Sequence, residues 1–276
     1  MIFSSYPPSP KLQGLVKTYQ LRHFEFPPGL KIPYKPFPPR DEQYLLFYIK
    51  GSEQIFSQDE SSPRERKGIM LVGQSTQIVY RMVSSHFLLI QVPFHPGALY
   101  RLTRIPFYEL KDKHLDLDLI FPQETRVVWQ KLLESQTYEE MIGLVDSFIS
   151  ELFEKHAQEE DVHSFERALP LFSTLGDSKT LDLVTDRACM SVRQLERMSK
   201  KYFGVGPKTM IRINRFTWSF IYKSRNPTLT WFDVAIACGY EDYQHMVKDY
   251  RDFAGVTPTQ LWQADSVAPD RVLGLR

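Results

Sequence analysis

The sequence has little of what most secreted or catalytic proteins carry. Only two cysteines, Cys189 and Cys238, occur in 276 residues. They stand apart, so no disulfide framework or CxxC zinc site is built from them, and both read as small buried hydrophobes before a turn. No apolar run approaches the roughly 20 residues that span a bilayer. The start, Met1-Ile-Phe-Ser-Ser-Tyr-Pro-Pro8, lacks the basic-then-apolar order of a signal peptide. The expectation is a cytoplasmic protein with no membrane attachment. Phosphate-cradling glycine loops and Ser/His/Asp patterns are missing. His23, His86, His95 and His114 include no close-spaced ligand pair, so no catalytic residue, metal or cofactor is assigned. Net charge is only +1, which excludes a uniform polycation.

What is present divides the chain in two. Prolines crowd the stretch from Tyr6 to Arg40 and forbid a helix there. Short β-favouring runs follow at 15–24, 44–49, 53–56, 68–72, 78–83 and 87–94, with Gly51-Ser52 and Ser84-Ser85 read as turns. Such spacing predicts a small sandwich or barrel. Helices are expected from Pro96, over 122–135 and over 137–156. The last carries an apolar stripe of Met141, Leu144, Val145, Phe148 and Leu152, which either lies under the strands or forms a dimer interface. Tyr44, Phe47, Tyr80, Phe87 and Phe94 either line a small-molecule pocket or make an ordinary core. Domain limits of 1–156, a charged linker over 157–163, 164–265 and a tail over 266–276 result, with Ser164 capping a helix that reaches about residue 172. The fold class is α+β: a β-rich N-terminal domain with appended helices, then an all-α domain.

Residues 180–262 hold one plan written twice. Each copy has a cap, a short helix, a tight turn, a second cap, a longer helix and a Gly-Val-x-Pro stop. That is a doubled helix-turn-helix. Ser191 with Gln194 and Thr230 with Asp233 form capping boxes, and Asp242 is a further N-cap. Gly204 and Gly255 suit left-handed C-terminal positions before prolines. Val184, Leu195 and Met198 in the first copy, and Val234, Met246 and Tyr250 in the second, are the packing positions. The longer helices, about 192–203 and 243–253, are the recognition helices. The first presents Val192, Arg193, Glu196 and Arg197 outward, and the second Tyr243, Gln244, Val247 and Lys248. Lys200, Lys201 and His245 are placed at phosphates. Arginine suits guanine, glutamine adenine and a carboxylate cytosine. From Arg187 to Arg225 ten basic residues face one acid, Glu196, as phosphate contact requires. A connecting helix over 207–222, roughly 25 Å long, would space the two readers for grooves about 34 Å apart, with Ile213, Phe216, Phe220 and Ile221 turned inward. Trp218 and Trp231 are read as core or interdomain packing.

The run from Gly239 to Pro258, and Ser191-Val-Arg-Gln-Leu-Glu-Arg197 with Phe203-Gly-Val-Gly-Pro207, resemble the DNA-binding domain of AraC/XylS-type regulators over the last third of the chain. Departures are Thr185 for a small alanine, Cys189 for a glycine, and Tyr243-Gln244 for a Gln-Ser pair. The resemblance implies a transcription regulator on double-stranded DNA, with RNA polymerase a partner if it activates. The run from Phe94 to Leu110 resembles the β-to-α junction of an uncharacterised N-terminal domain often fused to such DNA-binding domains. This implies an effector-sensing or homodimerising role. The alternatives are a cupin-like enzyme or a purely structural dimerisation module attached to a DNA-targeting domain.

Overall fold

A computed structural model describes residues 1–57, 62–157, 165 and 180–266. The N-terminal region is an antiparallel sheet of β1 Ile2–Tyr6, β2 Tyr19–Glu25, β3 Lys35–Phe37, β4 Tyr44–Ser57, β5 Arg64–Val72, β6 Val79–Val83, β7 His86–Pro93 and β8 His114–Asp116. Its main path runs β1-β2-β7-β4-β5-β8, while β6 pairs with the far half of β4 and β3 pairs with β6.

The bent strand β4 organises this region. Its Tyr-Leu-Leu-Phe-Tyr-Ile run does not alternate with polar residues because both faces are covered. Leu45, Phe47 and Ile49 join one apolar cluster, and Tyr44, Leu46 and Tyr48 another. Pairing shifts register between Tyr48 and Glu53. There Gly51 has φ +70°, and a Cβ would meet Ser84 Oγ at 1.9 Å and the His86 carbonyl at 2.2 Å, so only glycine fits. The two strands expected at 44–49 and 53–56 are therefore one, and Gly51-Ser52 is a bulge rather than a reversal. Strands β1, β3 and β8 are additions to those the sequence predicts. Pro36 is tolerated in β3 because that strand pairs on one side only.

Helices α1 Ala98–Thr103, α2 Pro122–Glu134 and α3 Tyr138–His156 accompany the sheet. Thr137 caps α3, accepting from the Glu140 N–H at 3.2 Å. Phe148 of α3 meets Phe47 edge-on at 5.9 Å, and Phe153 stacks near Phe94 at 6.3 Å. The stripe of α3 is thus spent on the sheet, not left open for a partner. Tyr44, Phe47 and Phe94 are ordinary core.

The C-terminal region is helical: α4 Thr180–Ala188, α5 Val192–Phe203, α6 Pro207–Arg225, α7 Trp231–Ala237, α8 Tyr243–Ala254 and α9 Pro258–Ser266. Beyond Ala157, the expected linker lies outside the described residues. So does the helix expected after Ser164, except Phe165, whose ring lies 5.5 Å from that of Tyr202. No described helix is long and apolar enough to cross a membrane. The apolar cluster of the sheet runs on into the first motif through Val184, Leu195, Tyr202 and Phe203. The second motif has its own cluster, which Ile78 enters from the N-terminal region.

One buried charge stitches the sheet together. Glu53 is 1% exposed, takes an ion pair from Arg81 and accepts from the Tyr48 hydroxyl at 2.7 Å, with Arg66 at 3.9 Å. Burial alone would raise its pKa, but Arg81 and Arg66 outweigh it and hold the carboxylate below its ordinary range. A depressed carboxylate contributes stability that is complete above the unfolded-state value, about 4.3, and is lost as pH falls through the folded one. Glu53→Gln should cost about 3–5 kcal/mol at neutral pH. The wild type should lose more stability than this variant between pH 7 and about pH 3, read as urea midpoints. Parallel losses would mean that Glu53 is not the titrating group.

Candidate nucleic-acid interface

The doubled motif folds locally as its caps dictate. Ser191 accepts from the Gln194 N–H at 3.3 Å while the Gln194 side chain accepts from the Ser191 N–H at 2.9 Å. Thr230 and Asp233 repeat the arrangement at 3.2 and 3.1 Å. Asp242 accepts from the His245 N–H at 2.7 Å. Such caps satisfy N–H groups that the first turn leaves open. Gly204 and Gly255 close α5 and α8 at φ +86° and +69°. Cys189 ends α4 at φ +51°, where Gly239 ends the equivalent turn of the second motif. Holding that left-handed position leaves Cys189 exposed, contrary to expectation; Cys238 is buried, and burial raises its thiol to about 11.

The rod α6 fastens both motifs. Ile213 and Phe216 are buried against the second motif, while Met210 and Ile211 join the cluster of the first. Asp249 of α8, 1% exposed, accepts from Arg212 Nε at 2.9 Å and from Arg215 at 3.2 Å. Arg212 also pairs with Asp252. Lys223 donates to the Pro227 and Leu229 carbonyls. Arg212, Arg215 and Lys223 thus serve the fold, so the basic run overstates the phosphate-facing charge. Trp218, expected inside, is 44% exposed, its ring lying 5.6 Å from the Arg225 guanidinium.

Helix α5 turns Leu195, Ser199, Tyr202 and Phe203 inward. Val192, Arg193, Arg197 and Lys200 are exposed, the last three at i, i+4 and i+7 on one face. Glu196 is half-buried and bridges to Lys200 at 3.1 Å. Lys201 is not on this face. Its ammonium lies over the Tyr100 ring of the N-terminal region, 4.6 Å from the centroid. On α8, Gln244 and Lys248 are exposed and His245 half-buried, 3.8 Å from Glu241. Val247, expected outside, is 7% exposed, and Tyr243 packs partly against the second cluster. The reason is periodicity: 243, 247, 250 and 254 share one side of the helix, and Tyr250 and Ala254 are core. Arg251, absent from the sequence-derived set, is exposed and continues the Gln244–Lys248 face one turn on. The same spacing rule finds it.

A helix-turn-helix domain family matches residues 184–264, and a domain of unknown function, DUF6597, matches residues 4–116. Over 84 residues the chain is 31% identical to the HTH-type transcriptional regulator ArgR of Pseudomonas aeruginosa. The C-terminal domain is an AraC-type helix-turn-helix domain. The ArgR match takes in 29% of this chain and 24% of that protein's length. Among solved structures, ToxT of Vibrio cholerae is 13% identical, with 91% of this chain and all of that one covered, at a TM-score of 0.48. ToxT holding an unsaturated fatty acid gives 14% identity, 91% and 97% coverage, and 0.48.

The AraC-type domain is not detached from the N-terminal region. Gln43 donates to the Tyr202 carbonyl at 2.7 Å. The Tyr202 ring lies edge-on to Tyr100 at 4.9 Å and beneath Gly97, where a Cβ would come within 2.9 Å. The Ile78 N–H donates to the Phe253 carbonyl at 2.8 Å, and the Thr217 hydroxyl to the Pro39 carbonyl at 3.1 Å. Among the described residues no group of His, Cys, Asp or Glu could hold a metal ion.

Asp249→Ala should destabilise the second motif by about 3–5 kcal/mol, because two arginines lose a buried partner. Ser191→Ala should cost only about 1 kcal/mol, the value of a cap. Chemical unfolding followed by helical circular dichroism ranks the two. The reverse order would mean that the buried carboxylate is not what fastens α8 to the rod.

Proposed function

We propose that the chain is a sequence-specific DNA-binding transcription regulator of the AraC type. The first recognition helix reads bases with Arg193 and Arg197 and meets phosphate with Lys200; the second uses Gln244, with Lys248 and Arg251 beside it. The observation that carries the reading is a pair of capped helices on one buried-charge-fastened rod, each with an open polar face of matching spacing. Val192 supplies an exposed apolar group suited to a thymine methyl. Glu196, Lys201, Tyr243, His245 and Val247 have lesser parts, since each is partly or wholly engaged inside the protein.

The N-terminal domain exerts control through its hold on the last turn of α5. Gln43, Gly97 and Tyr100 grip Tyr202, within five residues of Arg197, so a shift in that region is felt at the first reader. Sensing, rather than dimerisation through α3, is favoured because the α3 stripe is occupied by the sheet.

Selection from a random duplex pool, followed by fluorescence anisotropy, tests the reading. The full chain should enrich one sequence. Arg197→Ala should relax discrimination at one base position by about 1–3 kcal/mol. Lys200→Ala should weaken all sequences alike and lower the salt slope by about one. A pool with no enriched sequence at low salt would sink the proposal.

A further inference from the structure

Glu196 is the one acid between Arg187 and Arg225, and the fold sets it among the exposed cations of α5. Two contacts hold its carboxylate. Oε1 lies 3.1 Å from the Lys200 ammonium, one turn further along the helix. The second contact is with the start of the rod. A Cβ on Gly206 would meet Glu196 Oε1 at 2.6 Å and Oε2 at 2.9 Å, so glycine at that position makes room for the carboxylate. Gly206 is the N-cap of α6, it offers no side-chain cap, and the first turn of α6 holds no acid. Glu196 brings to this helix end the negative charge that such an end favours.

The second motif is built differently at both places. Counted from the caps Ser191 and Asp242, Gly206 corresponds to Thr257, Glu196 to Val247 and Lys200 to Arg251. Thr257 caps α9 with its own hydroxyl, which accepts from the Gln260 N–H at 3.4 Å. That helix end needs no carboxylate from a neighbour. Val247 is buried. The carboxylates of α8, Asp249 and Asp252, are held by Arg212 and Arg215 of the rod. Lys200 therefore has an acid four residues before it, and Arg251 has an apolar core residue there.

We propose that Glu196 is a built-in counter-anion of the first reader: it holds Lys200 in the free protein, and a DNA phosphate must take the ammonium from it. This rests on the regulator reading and gives Glu196 a part in it. Glu four residues before Lys is the favourable order for a helical pair. Breaking an exposed pair of this kind weakens binding about two- to fivefold. The brake acts on every sequence alike, because phosphate carries no sequence information. Glu196 thus sets how tightly, and with what salt dependence, the first reader grips the backbone, not which base it reads. The second reader has no such brake.

Anisotropy titrations of the full chain test this, with the selected duplex and a random one, over a range of salt. Glu196→Gln should tighten both duplexes about two- to fivefold and steepen the salt slope by up to about one. In a Lys200→Ala background the same change should gain less, since no pair is left to break. A gain there as large as in the wild type, or larger, would overturn the proposal, because the pair would then persist on DNA. Unchanged affinity in Glu196→Gln would overturn it too. Weaker binding of the selected duplex, with one base position relaxed, would make Glu196 a base reader instead. If the wild type binds neither duplex at low salt, the regulator reading fails and takes this inference with it; the other outcomes leave that reading standing.

Discussion

A rod fastened at both ends is the constraint on which the rest depends. Helix α6 has 19 residues, roughly 28 Å at 1.5 Å per residue. Two short readers on a flexible tether would each bind weakly and in any relative phase. Here the first is joined to the rod through an apolar cluster, and the second through Ile213, Phe216 and the Asp249 carboxylate shared by two arginines. Breaking such a buried pair leaves uncompensated charge, so the attachment resists rotation as well as separation. The positions of α5 and α8 relative to each other are therefore set by the rod.

The N-terminal region belongs to the same mechanical unit. It touches the first motif at Tyr202, the rod at Thr217 and the second motif at Phe253. Gln43 and Ile78 directly precede β4 and β6, which the buried Glu53–Arg81 pair joins. A shift of the sheet would reach both motifs and the rod through these contacts.

Much of this is legible in the residues, for a reason that differs by region. The C-terminal domain declares itself because caps, left-handed glycines and proline stops act over three or four positions: Ser191 with Gln194, Thr230 with Asp233, Gly204 before Pro207. Its outward faces follow from helical spacing, which also explains the slip at Val247, on the same side as the core residue Tyr250. The sheet is harder. β3 is three residues long and contains a proline, and only its pairing with β6 makes it a strand. The join of two expected strands at Gly51 depends on Ser84 and His86, more than thirty residues away. Cys189 reads as a hydrophobe to bury, but backbone conformation at a turn decides otherwise. The basic run conceals which cations are free, since Arg212 and Arg215 find their acids on α8. The contacts of Gln43 with Tyr202 and of Ile78 with Phe253 cannot be read at all, because they join residues more than 150 positions apart.

Hydroxyl-radical footprinting of the selected duplex tests the central claim most directly. Two readers fixed to one rod should protect two patches on the same face of the DNA, about one helical turn or 10 base pairs apart. Substitutions in α5 should clear one patch and those in α8 the other. A single patch, or two on opposite faces of the duplex, would contradict a rigid pair.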